Sequence, residues 1–150
     1  METQPQQDFR ELLELFNARK VEYLIVGAQA LAFHGAPRFT GDLDILVRPT
    51  PENAQRVGSA LADFGFGSAN ITPADFIAPG KVVQLGVPPV RVDLMTSITG
   101  VSWQEAWKGR AAGDYSGAPV FFLGREQYIA NKRATGRSKD LADIEALGEK

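Results

Sequence analysis

The sequence predicts a single α/β (α+β) domain, and three observations carry that expectation. Segments with the apolar spacing of helices alternate along the chain with short apolar or alternating strands. Glycines and prolines fall at the junctions between these segments. The length of 150 residues suits one well-formed core, because a chain of this size buries roughly 70% of the surface its unfolded form exposes. No internal repeat or low-complexity linker divides it. Residues 1–150 therefore read as one minimal domain, with residues 1–7 expected to be disordered.

Asp8 followed by Glu11 reads as a capping box, and Phe9, Leu12, Leu13 and Phe16 follow at helical spacing, which predicts a first helix running to about Asn17. Tyr23 to Val26 has the length and composition of a buried strand. Gly27 breaks it, and the small apolar run Ala28 to Phe33 predicts a helix packed close against a sheet. After a loop holding Pro37 and Gly41, Asp42 to Val47 predicts a two-faced strand: Leu43, Ile45 and Val47 on one side, Asp42 and Asp44 on the other. Pro51 opens a helix with the stripe Ala54, Val57, Leu61 and Phe64, closed by Gly65 and Gly67.

Lys81 to Val87 and Val90 to Met95 flank Pro88-Pro89 and predict a hairpin. In its second strand Val90, Val92 and Leu94 alternate with Arg91 and Asp93, so Asp93 points away from the core it borders. Ser102 and Glu105 form a capping box for a helix that carries Trp103, Ala106 and Trp107 and runs to about Arg110. Pro119 to Leu123 predicts a late strand. Arg125 to Thr135 and Lys139 to Leu147 predict two terminal helices around Gly136.

Composition excludes several function classes. There is no cysteine, so disulfides, thiolate metal sites and thiol nucleophiles are absent, and the single histidine, His34, rules out a multi-histidine metal cage. Any metal chemistry must be oxygen-ligated. A net charge of −2 gives no global field drawing phosphate polymers toward the chain. The longest aliphatic runs are far too short to cross a bilayer, so a cytoplasmic protein with no membrane partner is expected.

Alternation places Asp42 and Asp44 on one polar strand face and Asp93 on another, and pairing of the two strands would bring all three carboxylates together. Close carboxylates repel unless a cation joins them. Magnesium is the natural candidate, with manganese as a substitute, since it takes oxygen ligands from one or two carboxylates together with substrate phosphates. The competing reading of Asp42 and Asp44 is the wet face of an antiparallel strand. Gly27 and Ala28, where a strand gives way to a helix, would leave N–H groups facing a phosphate; the alternative is an ordinary strand-to-helix turn.

Tyr23 to Gly35, followed by Arg38-Phe-Thr40-Gly-Asp42-Leu-Asp44-Ile, resembles the core signature of the polymerase-beta-like nucleotidyltransferase superfamily. More narrowly, the chain is similar to small bacterial nucleotidyltransferase-like proteins related to AbiEii-type toxins. The segment from Asn131 to Ile144 resembles their C-terminal pattern, and the matching parts together run from about Val21 to Leu147. The resemblance implies a mixed sheet flanked by helices, a nucleoside triphosphate at the Gly27 turn, metal held by Asp42 and Asp44, and Asp93 as a third ligand or as the base for an acceptor hydroxyl. The acceptor would be a small molecule, an RNA end or a protein. A toxin–antitoxin or regulatory component that binds without turnover is the alternative. One departure stands out: the superfamily turn has Gly-Ser or Gly-Gly, whereas Ala28 follows Gly27 here, so that position offers an amide but no hydroxyl.

Arg38 and Thr40 precede the carboxylates, where a guanidinium and a hydroxyl would meet triphosphate oxygens; the plainer reading is a solvated loop. From Arg125 to Asp140, five basic residues stand against Glu126 and Asp140. Most of these read as a solvated helix face. Lys132 and Lys139 are the exceptions the resemblance favours, as cations flanking Gly136 that would meet one anionic ligand. Asp140 reads either as an orienting group or as a helix cap. His34 and the aromatic side chains of Trp103, Trp107 and Tyr115 read first as structural groups, ahead of any role in chemistry or base stacking.

Overall fold

The computed structural model describes residues 4–36, 42–66, 71–87 and 89–148. Arg38 and Thr40 lie outside the described residues, as does Gly67. In chain order the elements are α1 (Gln4–Ala18), β1 (Tyr23–Val26), α2 (Gly27–Phe33), β2 (Asp42–Val47), α3 (Pro51–Leu61), a short 3₁₀ turn (Pro73–Phe76), β3 (Val82–Val87), β4 (Val90–Met95), α4 (Trp103–Lys108), β5 (Ala111–Tyr115), β6 (Ala118–Phe122), α5 (Arg125–Thr135) and α6 (Ser138–Ala146).

The strands form one six-stranded mixed sheet in the order β3-β4-β2-β1-β6-β5. Strands β4 and β2 are parallel, as are β1 and β6, while the other neighbours are antiparallel. The mixed sheet flanked by helices implied by the sequence resemblance is therefore present. Strands β1 and β2 sit at the middle, which explains why all four residues of β1 are buried and why it reads as a continuous apolar run. In β2 and β4, Leu43, Ile45, Val47, Val92 and Leu94 are buried, leaving the carboxylates on the opposite face.

Helix α1 packs on this sheet through Phe9, Leu12, Leu13 and Phe16, all buried. Its start corrects one expectation. The helix begins at Gln4, so Asp8 lies inside it and does not cap it, and Gln4 to Gln7 form its first turn where disorder was expected. The apolar stripe begins only at Phe9, and a polar helical turn ahead of it leaves no periodic trace in the sequence. The Ser102–Glu105 capping box is formed as expected, with both reciprocal bonds in place, and α4 ends at Lys108. Strand β5 is an element the sequence reading missed: Ala-Ala-Gly-Asp-Tyr has low strand propensity and becomes a strand by pairing along β6.

Asn53 fastens the α3 end of the sheet. Buried to 2% exposure, its side-chain carbonyl accepts from the Glu22 amide at 2.7 Å, and its amide donates to the carbonyls of Glu22 and Arg48 at 2.9 and 3.0 Å. It thereby ties the entry of β1 to the exit of β2. Asn53→Ala strands these backbone groups, at a cost of about 2–3 kcal/mol. Urea unfolding should register that loss, and thermal unfolding a midpoint lower by roughly 5–10 °C.

Candidate active site

Parallel pairing of β2 with β4 sets Asp44 directly opposite Asp93 and Asp42 opposite Arg91. Adjacent strands are about 4.8 Å apart. Asp42, Asp44 and Asp93 thus share one sheet face, which meets the expectation that strand pairing unites them. Antiparallel pairing of β1 with β2 sets Val26 against Asp44, so the chain leaves β1 beside that carboxylate. Gly27 makes the turn with φ +66, and a Cβ at this position would overlap the Asp44 carboxylate oxygen Oδ2. Two independent demands, backbone handedness and lack of space, therefore require glycine here.

The carboxylates do not face one another unscreened. The Arg91 guanidinium forks onto Asp93, with Nε 3.1 Å from Oδ1 and a terminal nitrogen 3.2 Å from Oδ2, while Nε lies 4.0 Å from Asp42 Oδ2. Burial, then the neighbouring Asp93 and Asp42 carboxylates, push Asp44 up to about 6 against the opposing pull of Lys132 and Arg91.

Lys132 comes from α5, on the far side of the chain in sequence. Its ammonium lies 3.6 Å from Asp140 Oδ1 and 5.4 Å from the centre of the Tyr128 ring. Asp140 is completely buried. It accepts from the Thr135 hydroxyl at 2.7 Å, from Arg137 Nε and a terminal guanidinium nitrogen at 2.8 and 3.2 Å, and from the Arg137 amide at 3.2 Å. The Arg137 bonds, followed by that of Thr135, hold its carboxyl far below the usual carboxylate range. Gly136, left-handed at φ +66, turns the chain between α5 and α6 so that these groups meet.

No protein-family model matches the chain, and no curated protein matches it. Solved structures do. A candidate nucleotidyltransferase from Thermotoga maritima superposes with a TM-score of 0.61 at 17% identity, over 96% of this chain and 92% of that one. The antibiotic-resistance factor ANT(2'')-Ia gives 0.59 at 14% identity, over 98% and 84%. This chain has the nucleotidyltransferase fold. An antigenic nucleotidyltransferase-like protein from Paracoccidioides brasiliensis superposes at 0.53 with 15% identity, over 98% of this chain and 75% of its own. At such identities the likeness concerns the path of the backbone.

On this nucleotidyltransferase fold, the remaining expected site residues fall as follows. Ala28 is half-buried in the first turn of α2. Lys139 is exposed on α6, whereas Lys132, across Gly136, has a side chain only 15% exposed. His34 Nε2 lies 2.7 Å from the Leu123 carbonyl, a structural hydrogen bond. Trp103 and Trp107 stack on each other at 5.3 Å and pack against the core, with Arg110 3.9 Å from the Trp107 ring centre. No helix among the described residues is long and apolar enough to cross a membrane.

A divalent ion suits this donor chemistry, because hard oxygens from two carboxylates plus substrate phosphate are what magnesium takes. Among the described residues, no group of three or more acidic or imidazole side chains stands ready to cage a metal. Arg91 donates to both oxygens of Asp93. Sequence reading assigned Arg91 to the polar face and stopped there, although two-residue spacing on a strand already put it beside Asp93.

Gly27→Ala should force a left-handed alanine against Asp44, costing about 1–2 kcal/mol in chemical unfolding. Asp44 supplies a pH test. The folded protein holds its proton more tightly than the unfolded chain, whose carboxyl titrates near 3.8. Its contribution to stability is fully present below about pH 4 and is lost as pH rises through about 6. Without divalent ions, Asp44→Asn should therefore melt higher than the wild type at pH 7 and lose that advantage at pH 4.

Proposed function

We propose that this chain is a metal-dependent nucleotidyltransferase that moves a nucleoside monophosphate from a nucleoside triphosphate to an acceptor and releases pyrophosphate. The observation that carries this reading is the register of Asp44 against Asp93 on parallel strands, with Gly27 pressed against Asp44 from β1. Asp42 and Asp44 would hold the divalent ion, magnesium or manganese, which when bound neutralises and polarises the phosphoryl oxygens.

The chain's own groups do the rest. The Gly27 and Ala28 backbone at the start of α2 would meet the triphosphate, and Arg38 and Thr40, which precede β2 in the sequence, would add a guanidinium and a hydroxyl for its oxygens. Lys132, steadied by Asp140, places a fixed positive charge toward the carboxylate face, with Lys139 a further cation on α6. Asp93 accepts the acceptor's hydroxyl proton. The freed oxygen forms a bond to the α-phosphorus as the bond to the leaving pyrophosphate breaks, and the two electrons of that bond depart with pyrophosphate.

A second reading, nucleotide or partner binding without turnover, as in a toxin–antitoxin or regulatory component, is favoured by Ala28 and by the Arg91–Asp93 ion pair. One experiment separates the two. The protein is incubated with Mg²⁺ and each α-labelled triphosphate against RNA, small metabolites and itself. Label transfer to one acceptor class is expected, falling about 10³-fold or more in the Asp42→Asn/Asp44→Asn double variant as several kcal/mol of charge stabilisation disappear. Binding without pyrophosphate release would favour the second reading, and undiminished transfer by the folded double variant would reject the first.

A further inference from the structure

We propose that Arg91 is an internal counter-ion of the carboxylate face, which a divalent cation must displace, so that Arg91 sets the protein's affinity for that cation. This rests on the metal-dependent reading above, and concerns a residue that reading does not use.

The geometry supports it in three ways. First, Arg91 and Asp93 are two residues apart on β4 and share a face, while register sets Arg91 opposite Asp42. Its two ion-pair partners, Asp93 and Asp42, are both members of the carboxylate trio. Secondly, the contact with Asp93 is forked. Separate guanidinium nitrogens take Oδ1 and Oδ2, which fixes the positive charge on the carboxylate face, and a dication beside the guanidinium would be repelled by it.

Thirdly, Arg91 is more exposed to solvent than Lys132. Its side chain is 32% exposed and heads an arm of rotatable bonds, whereas the Lys132 side chain is 15% exposed and held at the wholly buried Asp140. Partly exposed ion pairs contribute little net stability, so a doubly charged ion with substrate phosphate at hand is able to displace one.

The test reads metal binding and not turnover. Manganese affinity is measured by electron paramagnetic resonance and calorimetry at pH 7.5 on the wild type, Arg91→Gln, Arg91→Lys and Asp44→Asn. Arg91→Gln should bind Mn²⁺ about tenfold more tightly than the wild type. Arg91→Lys, which keeps the charge but cannot fork, should fall between them and carries the test should the glutamine variant fail to fold. In the wild type, the Arg91 Nε–H resonance, identified by its loss in Arg91→Lys, should shift and exchange faster with water as Mg²⁺ is added. Equal Mn²⁺ affinity in the wild type and the folded Arg91 variants, with binding lost in Asp44→Asn, would overturn the counter-ion role alone. Unchanged binding in Asp44→Asn would overturn the metal reading and this proposal with it.

Discussion

The structure is organised around a concentration of negative charge that the fold cannot avoid. Parallel pairing of β2 with β4 makes neighbours of Asp44 and Asp93, and strand alternation adds Asp42 on the same face. Burial, reinforced by the Asp93 and Asp42 carboxylates, pushes Asp44 up to about 6. Two cations among the described residues answer that charge. Arg91 does so from within the same sheet, and Lys132 from the C-terminal helices.

Two different kinds of support hold this arrangement. Beneath it, Leu43, Ile45, Val92 and Leu94 are buried in the core, and they hold the opposite faces of the same residues' strands in register. Above it, the α5–α6 turn is a polar construction: Asp140, with no exposed surface, satisfies its oxygens on Thr135, Arg137 and Lys132. A buried carboxylate with so many donors is costly to misplace, which makes the turn a defined support for the Lys132 ammonium. The sheet fixes where the carboxylates and Arg91 stand, and the last two helices fix where Lys132 does.

Much of this was legible beforehand. The alternation in Asp42 to Val47 and in Val90 to Met95 named the buried and the polar faces correctly, and Gly27 was marked as the break between strand and helix. The Ser102–Glu105 cap and the Gly136 turn were equally readable, since each depends on chemistry within a few residues. Strand β5 was not, because its residues become a strand only by lying along β6. Nor was the start of α1, whose first turn lacks apolar residues.

By itself the sequence determined which side chains share a face, for that follows from a two-residue period along an extended backbone. It equally determined the absence of sulfur chemistry and of a histidine cage. Only tertiary structure decided which strands are adjacent, and therefore that Asp44 faces Asp93, that Gly27 has no room for a methyl group, and that Asp140 gathers Thr135, Arg137 and Lys132. Periodicity is a property of neighbours in the chain, whereas strand order arises from burying many apolar faces at once, and no single segment encodes it.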